Sequence, residues 1–167
     1  TNQVHCLNTY SISKYSGEQL CEMYYHLYGL QTVMFRYFNV YGEGCHKSGQ
    51  YAPVMSIFKK QKDNKEPLTV VEPGYQTRDF VHVSDVVYAN ILATQRDLEE
   101  YGQVFNIGTG EGIEIQTIAD LISDYQITIP QRSGEVMHST ANIDKVKDIL
   151  GWKWSVKVIE WVKKNLK

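Results

Sequence analysis

Long apolar runs are missing from this sequence. None approaches the roughly 18–20 residues that a bilayer-spanning helix needs, so no membrane partner is expected. An excess of positive charge is missing too. With 17 Lys and Arg against 19 Asp and Glu the net charge is -2, which leaves no basic field to collect nucleic acid or an acidic surface. Any anionic ligand must be caught by a few local cations. Cysteines are few, and Cys6, Cys21 and Cys45 form neither a Cys-x-x-Cys motif nor a disulfide grid. Reduced thiols in a cytoplasmic protein are the expectation. His5, His26, His46, His82 and His138 never fall four apart on one helix beside a carboxylate, so no metal site is expected. The N-terminus lacks the basic start and apolar stretch of a signal peptide. It also lacks an initiator Met, which is compatible with a fragment or a processed chain. There is no repeat and no low-complexity segment.

What is present is a chain of 167 residues, 43% hydrophobic and 22% charged. That fits a soluble globular protein long enough for one domain with a real core. Leu20, Met23, Tyr24 and Leu27 recur at three- and four-residue steps, which predicts a helix over residues 9–28 with Gly29 at its end. An apolar, β-rich stretch over 32–38 reads as a buried parallel strand. A glycine-bearing loop follows from Tyr41. Helix is expected over 54–62 and strands over 68–71, 78–83 and 104–107. Further helices are expected over 85–98 with Ser84 as cap, 115–125, 142–150 and 155–166. Strands alternating with helices make the class α/β.

One pair carries chemistry. Tyr10 and Lys14 stand four apart on the first helix, so their side chains share a face. A free phenol, with a pKa of about 10, is a poor base at neutral pH. A lysine cation held nearby favours the phenolate, which can then take a proton from a hydroxyl. Alone, this spacing is common by chance.

It does not stand alone. Tyr10-Ser11-Ile12-Ser13-Lys14 with Gly17-Glu18 is followed by Arg36-Tyr37-Phe38-Asn39-Val40-Tyr41-Gly42. Then come the run from Thr77 to Val86, Phe105-Asn106-Ile107-Gly108-Thr109-Gly110, Arg132-Ser133-Gly134-Glu135-Val136 and Leu150-Gly151-Trp152. In this order the segments resemble the extended short-chain dehydrogenases/reductases, in the branch of nucleotide-sugar epimerases and dehydratases. The resemblance is greatest to the UDP-glucose 4-epimerases. It implies the C-terminal part of a Rossmann-like NAD(P)-binding fold plus a small α/β substrate-binding domain. Residues 1–42 would be the remnant of the dinucleotide domain. Residues 43–167 would mainly bind nucleotide sugar, with a strand near 104–107 returning to the main sheet.

The resemblance also implies roles. Tyr10 and Lys14 would be catalytic and would touch the cofactor, NAD, with NADP left open. Tyr37 and Phe38 would border that cofactor. Asn39 and Val54 would contact substrate, a UDP-sugar. Thr69, Val70 and Val71 would line the nucleotide base, Arg78 and Arg132 would clamp its diphosphate, and Glu135 would accept from its ribose. The parent reaction would be removal of a sugar hydroxyl proton with hydride passing to NAD, turning of the keto sugar, and return of the hydride. Gly108-Thr109-Gly110 looks like a phosphate loop but is taken as a structural turn. Lys47 matches a lysine of the heptose 6-epimerases, yet a plain surface lysine is preferred.

A complete member of this family carries a further domain before Tyr10, with the glycine-rich dinucleotide turn. The chain alone is therefore expected to lack catalysis and to expose a strand edge and an apolar patch. A partner chain or N-terminal half would cover them, and the complete enzyme would be a homodimer. The alternatives are a nucleotide-sugar-binding module without catalysis, a 4,6-dehydratase, a decarboxylase or a heptose 6-epimerase.

Overall fold

A computed structural model describes residue 6 and residues 8–45, 52–131 and 135–166. Helix α1 (Thr9–Tyr28) opens on a capping box. The Asn8 side chain accepts from the Ser11 N–H at 2.8 Å, and the Ser11 Oγ accepts from the Asn8 N–H at 3.2 Å. Gly29 ends the helix at φ 67°, the left-handed region that favours glycine. The apolar stripe at Leu20, Met23, Tyr24 and Leu27 is there, but no residue of α1 is buried.

The order continues with β1 (Val33–Tyr37), β2 (Asn39–Tyr41), α2 (Val54–Asp63), β3 (Leu68–Val71) and β4 (Thr77–His82). Then come α3 (Val83–Gln95), β5 (Gln103–Ile107), β6 (Gly112–Glu114), α4 (Ile115–Ile122) and β7 (Gln126–Ile129). The chain closes with β8 (His138–Ser139), α5 (Asp144–Leu150) and α6 (Val158–Asn165). β1 and β5 pair in parallel from Val33↔Gln103 to Tyr37↔Ile107. β4 is the centre of a second sheet, parallel to β2 and β8 and antiparallel to β6. β3 and β7 form a third, parallel pair.

Two differences from expectation have local causes. Tyr41 ends a short strand, residues 39–41, instead of starting the loop, because β4 offers these residues a parallel partner. The cap of α3 is His82 rather than Ser84: its ring accepts from the Ser84 N–H at 3.3 Å, and the helix begins two residues earlier than the Ser pattern implied.

Successive side chains of a strand point to opposite faces, and β4 uses both. Phe80 enters one core with Tyr41, Phe58, Leu68, Val70, Ile118 and Val162. Val81 enters the other with Phe105, Ile107, Val146, Leu150 and Trp152. Buried carboxylates tie distant segments to this frame. Asp85 accepts from the Ser155 N–H at 3.1 Å, the Ser155 hydroxyl at 2.8 Å and the Val156 N–H at 3.2 Å. The Trp152 indole donates to the Asp85 carbonyl at 2.9 Å. The Leu150-Gly151-Trp152 segment is thus an anchor for the start of α3.

Candidate functional site

A cleft of about 590 Å³ opens where β1 gives way to β2, beside the first turn of α1. Tyr10 and Tyr37 stand at one end with Phe38 and Asn39. Val54 of α2 and the side of β3 carrying Thr69 and Val71 form the far wall, and Arg78 and Glu135 meet at the same cavity. The alternation of β3 decides its share. Thr69 and Val71 are half-buried on the cleft side, whereas Leu68 and Val70 are buried. Val70, expected along the nucleotide base, therefore turns its side chain into the core.

Lys14 sits one helical turn from Tyr10 and does not line the cleft. Its ammonium lies 5.4 Å from the centroid of the Tyr10 ring, close enough for the cation to act on the aromatic system. Tyr37 is held by Asn90: its hydroxyl donates to Oδ1 at 3.1 Å and lies 3.0 Å from Nδ2. Arg78 is fixed by carbonyls. Its Nη1 donates to Val136 at 2.6 Å and to Thr77 at 2.9 Å, and its Nη2 donates to Glu135. Arg132, His46 and Lys47 lie outside the described residues.

The glycine turn at 108–110 holds an anion of the protein's own. The Asp79 carboxylate, fully buried, accepts from the N–H groups of Thr109 (2.6 Å), Gly110 (2.9 Å) and Ala141 (3.0 Å) and from the Thr109 hydroxyl (2.8 Å). A Cβ on Gly108 would meet Asp79 Oδ2 at 2.7 Å and the Ala141 Cβ at 2.6 Å. Turn amides that could cradle a phosphate are saturated by a carboxylate, so the turn is structural.

The family model described as "NAD dependent epimerase/dehydratase family" matches residues 1–108. The chain belongs to that family. A UDP-glucose 4-epimerase of Lacticaseibacillus casei is 32% identical over 167 residues, spanning 87% of this chain and 50% of that one. Among solved structures, a Thermotoga maritima UDP-glucose 4-epimerase with UDP-glucose superposes with TM-score 0.88 at 36% identity, over 97% of this chain and 53% of that one. A Methanobrevibacter ruminantium UDP-N-acetylglucosamine 4-epimerase in complex with UDP-N-acetylmuramic acid gives TM-score 0.88 at 29% identity, over 99% and 55%. The chain spans about half the length of these relatives.

Two features in and beside the cleft were not legible in the sequence. Glu18 and Arg36 stand inside quoted motifs without an assigned role. They form a bidentate pair, Nε to Oε1 at 2.7 Å and Nη2 to Oε2 at 2.5 Å, which fastens α1 to β1. That hydrogen-bonded carboxylate raises the Arg36 pKa above its ordinary value. Gln76 is 2% exposed and also lines the cleft. Its Nε2 donates to the Val71 carbonyl at 3.0 Å, while its Oε1 has no partner among the described residues. A polar residue just ahead of the Arg78 strand was the only available signal. Among the described residues no group of three or more His, Cys, Asp or Glu could hold a metal ion, and no helix is long and apolar enough to cross a membrane.

Proposed function

We propose that this chain is the C-terminal half of a UDP-sugar 4-epimerase, carrying the acid/base pair and the nucleotide-sugar clamp. The observation that supports it is convergence: Tyr10, Asn39, Arg78 and Glu135, far apart in sequence, line one cleft. The donor and acceptor inventory suits a nucleoside diphosphate sugar. Arg78 offers a fork of N–H donors to a phosphate. Glu135 offers acceptors to ribose hydroxyls, and Thr69 and Val71 offer a flat wall to a base. Arg132 is assigned to the second phosphate by its motif.

Tyr10 is the proton acceptor and donor at the sugar hydroxyl, with Lys14 holding positive charge beside its ring. The Glu18–Arg36 pair sets the height of α1 over β1 and so the reach of Tyr10 into the cleft. Tyr37 and Phe38 wall the end at which a nicotinamide would lie, and residues of this chain supply only that one side. NAD, when bound, supplies reversible hydride acceptance at the carbon that Tyr10 serves. The remaining side belongs to an N-terminal half that would seat on α1 and on β1, whose described partner is β5 alone. The complete enzyme would be a homodimer working in the cytoplasm.

The test mixes this chain with a separately produced N-terminal half of a related 4-epimerase and follows interconversion of UDP-glucose and UDP-galactose. Turnover by the mixture, with none by either part, supports the reading. Absence of UDP binding by the isolated chain in calorimetry would sink it.

A further inference from the structure

We propose that Glu135 is a specificity residue that withholds Arg78 from phosphates unless a neighbouring diol is present. The proposal rests on the nucleotide-sugar reading of this cleft and adds a role for the ion pair within it.

The geometry starts with the guanidinium. Both Nη1 hydrogens are taken by the carbonyls of Thr77 and Val136, at 2.9 and 2.6 Å. Those bonds fix the plane of the fork between β4 and the 135–136 segment. Glu135 then takes one hydrogen of Nη2 through Oε1. Among the described residues, Nε–H and one Nη2–H of the five arginine donors have no partner. The pair is largely withdrawn from water, with side chains 16% and 18% exposed for Arg78 and Glu135. Solvent screens such a pair weakly.

Consider two ligands arriving at this fork. Pyrophosphate brings negative charge and no donor. It must either displace the Glu135 carboxylate, leaving that charge partly buried and unpaired, or sit beside it as a second anion on one cation. Both cost affinity. A nucleoside diphosphate brings the same phosphates with a ribose whose two hydroxyls can donate to Glu135. The carboxylate then exchanges Arg78 for the diol, and Arg78 becomes free for the phosphate. One ion pair thus links two subsites, and the link works partly by repelling the wrong ligand. The ligand class selected is the nucleoside diphosphate over free polyphosphate.

The test is calorimetry on the 167-residue chain with inorganic pyrophosphate and UDP as probes. Wild type should bind UDP at least about tenfold more tightly than pyrophosphate, a gap of about 1.4 kcal/mol. Glu135→Gln keeps the shape and removes the charge. It should tighten pyrophosphate about tenfold without tightening UDP to the same degree. Glu135→Asp keeps the charge but shortens the reach to Arg78, and should move pyrophosphate the same way by less. Adding Arg78→Ala to Glu135→Gln should erase the gain. Pyrophosphate affinity unchanged or weakened in both single variants overturns the proposal, even where wild type binds UDP and the nucleotide-sugar reading survives. Pyrophosphate tightened by Glu135→Gln with UDP bound by no form leaves the repulsion in place and overturns the nucleotide reading instead.

Discussion

At the scale of single residues, the proposed roles separate binding from chemistry. Tyr10→Phe removes only the phenolic oxygen, so UDP affinity of the chain should hold while kcat of the reconstituted enzyme falls about a hundredfold or more. Calorimetry and the sugar interconversion assay read the two halves of that statement. Asp79 belongs to stability rather than chemistry. Its carboxylate satisfies three backbone N–H groups and a hydroxyl, so Asp79→Ala should destabilise the chain by about 3 kcal/mol or more, seen as a lower urea midpoint. Glu43 gives a pH signature. A hydrogen bond from its own backbone N–H, then one from the Trp161 indole at 3.3 Å, hold its carboxyl below the usual range. The folded value lies below the unfolded one, so the stabilisation is complete above the ordinary carboxylate range and is lost as pH falls through the folded value. Tryptophan fluorescence should report that transition, and Glu43→Gln should abolish it.

At the scale of elements, α1 differs from the other described helices in burying no residue. Its caps are good, yet nothing on it is buried, and a helix derives most of its stability from packing. Amide hydrogens over residues 9–28 should therefore exchange quickly in the chain alone and slow at least about tenfold when an N-terminal half is added. Asn8→Ala should speed exchange further, since losing such a cap costs about 1 kcal/mol. The same elements indicate what a sequence can declare. α1, α2, β1, β3 and β5 were legible because apolar spacing and flanking glycines mark them. β6, β7 and β8 were not: each has two to four residues, several of them polar, and each exists because a neighbouring strand offers it a register. Asn39, Arg78 and Glu135, on three separate motifs, line one cleft. Val70 does not, and period-two alternation already sets it opposite Thr69. Glu18 and Arg36 were invisible as a pair because 18 residues and a helix-to-strand turn separate them.

At the scale of the whole molecule, Leu20, Met23, Tyr24, Leu27 and Tyr28 make an exposed apolar face on α1, and among the described residues β1 pairs with β5 alone. Alone, the chain should associate with itself as concentration rises, and sedimentation velocity should record dispersal of those assemblies when the N-terminal half is supplied. The molecule's polarity, by contrast, is already complete. β4 sends Arg78 toward the cleft and its immediate neighbour Asp79 into the buried glycine turn, so one strand carries opposite charges on its two faces. A slip of one position would do more than shift the strand along its neighbours, because every side chain would change face. It would put the Asp79 carboxylate on the cleft face and the Arg78 guanidinium on the interior face, reversing the sign of the charge that the strand shows to the cleft. The parity of the register is therefore a sign bit for this strand: it chooses whether β4 shows the cleft a cation or an anion.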